Sequence, residues 1–134
     1  MKNATKEVMQ ERMNKVVSTI RDSEIPFEEP SLSEASDDFS CIILLIPEFK
    51  VGRIAILLDN SPCSFAREER GEFMINVLKV EVDEKGLFDE LESCYVCTPE
   101  ELFALLKALK TSESFSNLVH FDVTMPNPPD VVYA

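Results

Sequence analysis

The chain has 134 residues, 45% of them apolar, and a formal net charge of −12 from 25 carboxylates against 13 lysines and arginines. That length suits one domain, residues 1–134, whose folding removes roughly two-thirds of the unfolded surface from water, enough for a core without disulfides or metal. The charge speaks against nucleic acid as a partner, because phosphate contacts are made by Lys and Arg. No apolar run approaches the ~20 residues of a bilayer span, so no membrane association is expected.

The N-terminus reads Met1-Lys2-Asn3-Ala4-Thr5-Lys6-Glu7 and lacks the apolar stretch of a signal peptide. The expected compartment is the cytoplasm, where the four cysteines stay reduced. Residues 4–21 predict an amphipathic helix. Met9, Met13, Val16 and Ile20 fall on one stripe of a 3.6-residue period, widened by Val8 and Val17. Asn3 is the expected N-cap.

Residues 22–38 read as an irregular acidic linker, marked by Pro26 and Pro30. Between Arg21 and Lys50 there are eight carboxylates and no Lys or Arg. Phe39 to Ile46 predicts a strand covered on both faces, since its apolar run shows no alternation. Arg53 to Leu58 predicts its hairpin partner, joined through Pro47 to Gly52. Asp59-Asn60-Ser61-Pro62 is a turn cluster, and 63–71 a polar loop.

Phe73 to Val82 predicts a third strand, with an apparent change of phase at Val77 and Leu78 that implies a bulge. After Gly86, Leu87, Phe88 and Leu91 suggest a short helical turn. Thr98-Pro99-Glu100-Glu101 is a strong helix start: a cap, proline at the first position and glutamate at the third. The helix should run to about Lys110, with lysines near its negative pole. Leu118 to Thr124 predicts a last strand, and 125–134 an extended Pro-rich tail.

The expected fold class is therefore α+β. It is an antiparallel sheet of about four strands with an N-terminal helix and a second helix packed on one face, in the order α-β-β-β-α-β. The layout resembles several small α+β families, type III secretion chaperones among them.

Chemistry-bearing groups are sparse. Cys94-Tyr95-Val96-Cys97 has a spacing that thiolates use for zinc, but a structural site needs four ligands. Cys63 is a further weak candidate, and Cys41 lies inside an apolar strand. Cys97 just ahead of a helix N-terminus also admits a redox reading. Buried or surface thiols remain the bland alternative. Asp59, Glu81 and Asp83 could gather a magnesium ion or be solvated strand carboxylates. His120, the single histidine, reads as a strand residue. No phosphate-binding loop or nucleophile motif occurs. No cofactor is implied, and no enzyme.

The carboxylates carry the functional reading. Glu28, Glu29, Glu34, Asp37 and Asp38 lie in one stretch; Asp83, Glu84, Asp89, Glu90 and Glu92 lie in another. Such surfaces serve solubility or dock a basic protein, raising its association rate and rejecting others. In composition the chain resembles immunity proteins that guard against nuclease toxins, and secretion chaperones. The resemblance implies a non-enzymatic module that neutralises or escorts a basic protein partner. The alternative is a thiol- or zinc-dependent protein using Cys94 and Cys97. The apolar stripe of the first helix offers a third possibility, a homodimer formed through that helix.

Overall fold

The computed structural model describes residues 3–35, 38–61, 63 and 66–118. Helix α1, Lys6–Asp22, starts where Thr5 accepts a hydrogen bond from the Val8 N–H. The cap is thus Thr5 rather than Asn3, because its hydroxyl lies the right three residues ahead of an unpaired amide. The apolar stripe behaves as its period requires: Met9, Val16 and Ile20 are fully buried. Self-association through this stripe would require the helix to leave its own core.

Five strands follow in one antiparallel sheet: β1 Ser33–Ala35, β2 Asp38–Leu44, β3 Arg53–Asp59, β4 Ile75–Val82 and β5 Phe88–Val96. Their spatial order is their chain order, a meander. Helix α2, Pro99–Leu109, closes the succession, and residues 115–118 form a last helical turn. The α+β class and the two helices on one sheet face agree with the sequence. The element order α-β-β-β-β-β-α differs from the expected one in three places.

First, the expected linker is not wholly irregular. Ser33–Ala35 pairs with β2, and Phe27 bridges Leu45. Upstream, the Glu28 N–H donates to Leu44 O, and the Ile46 N–H to Pro26 O. The very apolar β2 needs a neighbour on each side, and this segment supplies one. Second, the expected helical turn at Leu87, Phe88 and Leu91 is the start of β5. Asp83 accepts from the Lys85 and Leu87 amides and so closes a tight turn, which brings the following residues back along β4. Third, Leu118 is helical and buried, where a strand was expected. Residues 119–124 of that strand and the tail 125–134 lie outside the described residues.

The bulge also moves. Lys79 pairs with Glu92 and Val80 with Glu90, so the extra residue is Leu91 on β5. Strand β4 alternates without interruption. Ile75 and Val77 join the core under the helices, while Leu78 and Val80 join a second cluster on the other face. The sequence mimics a phase change because both faces of β4 are apolar and Lys79 interrupts one of them.

The main core lies between the sheet and the helices. It joins Met9, Val16 and Ile20 of α1 and Leu102, Leu105 and Leu109 of α2 to Ile43, Ile54, Ile56 and Val77 of the sheet. Each side chain of this size stabilises by about 1.5–3 kcal/mol when fully buried. Asn60 donates to Ala4 O and fastens the start of α1 to the end of β3. At the other end Lys110 donates to Ser23 O at 2.6 Å and ties the ends of the two helices together.

Candidate functional site

The sheet separates the two acidic stretches. Glu28, Glu29, Glu34 and Asp38 lie along the β1 side; Asp83, Glu84, Asp89, Glu90 and Glu92 lie on β5 and the turn before it. Because β1 and β5 are the two ends of the strand order, about 19 Å of sheet separates them. The nine of these carboxylates that are described therefore lie at two separate sheet edges. Asp37 lies outside the described residues.

The β1 side is partly neutralised. Arg21 donates to Glu29 at 2.8 Å, and its guanidinium stacks over the Phe27 ring at 5.6 Å. Glu28 and Asp38 remain exposed.

The β4–β5 hairpin is different. Residues 81–93 are all exposed except Phe88, which is half-buried. This stretch holds six carboxylates (Glu81, Asp83, Glu84, Asp89, Glu90, Glu92) against Lys85 alone. Exposed Glu92 lies 3.6 Å from the Nζ of half-buried Lys79 on the neighbouring strand. On the same hairpin Leu87 is 63% exposed and Leu91 51%, and Val82 is also exposed. The local cause is clear. The bulge leaves Leu91 without a cross-strand partner on β4. Among the described residues β5 is an edge strand. Its carboxylates repel a second copy of the same edge, a common guard against edge-to-edge pairing. The apolar members of this surface escaped the sequence reading, since Leu87 and Leu91 fitted a helical turn equally well. The turn chemistry of Asp83 and Gly86 was the available signal.

Cys94 on β5, opposite Val77, packs against the helix-side core, and Cys97 lies between the end of β5 and the start of α2. The helix N-terminus after Cys97 is already engaged. Thr98 accepts from the Glu101 N–H at 3.0 Å, and Glu101 accepts from the Cys97 N–H at 2.8 Å. Cys63 lies with its sulfur 3.5 Å from that of Met74. Cys41 is core, and its burial pushes the thiol up to about 11. Among the described residues no group of three or more His, Cys, Asp or Glu is placed to hold a metal ion.

The magnesium grouping comes apart as well. In register, Asp59 aligns with position 74 of the next strand, nine residues from Asp83, or about 30 Å along the sheet. Each carboxylate serves its own turn: Asp59 accepts from the Ser61 N–H, and Asp83 from two backbone amides. His120 lies outside the described residues. A shallow open depression of about 590 Å³ between α1 and the start of α2 is lined by Glu11, Lys15, Arg70 and Glu100 among others. Its charges are mixed, and Lys15 and Glu11 lie 3.4 Å apart.

No described helix is long and apolar enough to cross a membrane. No family model, no curated protein and no solved structure matches the chain.

Proposed function

We propose that this protein is a non-enzymatic binding module of the cytoplasm that neutralises or escorts a basic protein, and that the β4–β5 hairpin is its docking surface. One observation carries the reading: six carboxylates are interspersed along this hairpin with exposed Val82, Leu87 and Leu91, with Glu81, Asp89 and Glu92 on the face of Val77 and Glu90 on the face of Val80 and Val82. Exposed apolar side chains with charges beside them are the ingredients of a protein interface. The charges attract and orient a cationic partner, and the leucines supply the area that leaves water on contact. On the β1 side Arg21 engages Glu29 at 2.8 Å.

The test is a pull-down from the native cell with wild-type protein and with the triple variant Asp89→Asn, Glu90→Gln, Glu92→Gln. The reading expects a basic protein retained by the wild type and lost from the variant. Equal capture by both proteins, or capture of acidic proteins only, would reject it. Asp83 is left intact in the variant because it holds the turn.

A further inference from the structure

A thiol from the connection after β3 rests against the start of the next strand. The Cys63 thiol donates to the Met74 thioether at 3.5 Å, and both side chains are half-buried. Met74 immediately precedes β4. A third sulfur-bearing residue is fastened one position away, since Cys97 O accepts from the Phe73 N–H at 3.1 Å. Thiol and thioether are both weak hydrogen-bonding groups, so the contact alone does little to hold residue 63. As metal ligands the two sulfurs are well matched. Both are soft donors, the class that selects copper(I). Zinc fits less well, because its protein sites draw on cysteine, histidine and carboxylate rather than thioether.

We propose that Cys63 and Met74 form a binding site for copper(I). Metal–sulfur bonds of about 2.3 Å bridge a 3.5 Å separation in a bent arrangement, and the flexible methionine side chain lets the gap adjust. On binding, the Cys63 thiol releases its proton to solvent, and thiolate and thioether each donate an electron pair to the ion. The ion keeps its oxidation state, so the step consumes no oxidant or reductant. Half-burial of both side chains leaves the ion a path from solvent. Two other thiols lie elsewhere: Cys41 is buried within β2, and Cys94 packs on the helix-side core. The site is independent of the acidic hairpin, whose turn follows Val82, about 26 Å along β4 from Met74.

Anaerobic titration of the reduced full-length protein with copper(I), held by a coloured competing chelator, tests it. The wild type should take up one ion per chain at its tightest site, and X-ray absorption should show sulfur neighbours around the copper. Cys63→Ser should weaken that uptake by about tenfold or more. So should Met74→Leu, a volume-conserving change that spares the packing. Cys94→Ser should bind as the wild type does. Affinity should also fall as pH drops, since protons compete for the thiolate. Absence of uptake by the wild type, or uptake unchanged in the Cys63→Ser, Met74→Leu double variant, overturns the proposal. Equal loss from Cys94→Ser overturns it too, because other sulfurs then hold the ion.

Discussion

Gly52 lies in the β2–β3 connection beside Lys79 of β4, and replacing it by alanine tests what its backbone conformation costs. The residue closes the β2–β3 connection with a φ of +126°, exchanging hydrogen bonds with Phe49 at 3.0 and 3.1 Å. An added Cβ would meet Lys79 Cε at 3.0 Å. Lysine's flexible end can move aside, so the steric part is small. The backbone part is not, because side-chain-bearing residues at such angles cost of order 1–3 kcal/mol. Gly86 is the control: its φ is +81° and nothing lies within 4 Å of an added Cβ, so Gly86→Ala should cost roughly 1 kcal/mol. The sum expected for Gly52→Ala is about 2–3 kcal/mol, or a melting temperature lower by roughly 8 °C for a domain of this size. Thermal and urea unfolding of both variants reads the difference. A second cycle with Lys79→Ala separates the parts, and removal of the lysine should recover less than about half of the loss. Equal destabilisation by Gly52→Ala and Gly86→Ala would refute the reasoning. Full recovery by Lys79→Ala would place the cost in the contact instead.

Two further perturbations probe the core. Leu105→Ala should destabilise by about 2–5 kcal/mol, since the residue is fully buried between α2 and the sheet. On the same helix Phe103 is 40% exposed, and Phe103→Ala should cost under about 1 kcal/mol in urea unfolding. Cys41 gives a pH dependence. Its folded thiol ionises near 11 against 9.0 when unfolded, so the unfolded chain loses its proton first. The stability this group contributes is complete below pH 9.0 and falls away as pH rises toward about 11. The loss, about 2 kcal/mol, should be absent from Cys41→Ala when the two unfolding curves are compared across that window.

The legible parts of the fold were those with a local cause. The capped helix at Thr98 and the stripe of Met9, Met13, Val16 and Ile20 depend on residues three or four apart, and the structure has both elements where the pattern put them. The chain from Ser33 to Ala35 was not legible, because its strand exists only through pairing with β2. Leu87, Phe88 and Leu91 carried a helical spacing that the tight turn at Asp83 overrode. The carboxylates themselves were visible in the sequence. Their division between opposite edges of the sheet was not, since it follows from strand order. Nor does a sequence show that one bulge residue, Leu91, stands exposed among them.

Titration calorimetry of the captured partner against wild-type protein and the triple hairpin variant, from about 0.05 to 0.5 M salt, bears most directly on the docking proposal. Steering by Asp89, Glu90 and Glu92 predicts tight binding by the wild type at low salt that weakens steadily as screening grows. The variant should start some 5- to 100-fold weaker, about 1–3 kcal/mol, with a flatter dependence. Identical affinities and slopes for the two proteins would contradict the proposal and leave the hairpin's carboxylates as a guard on the sheet edge alone.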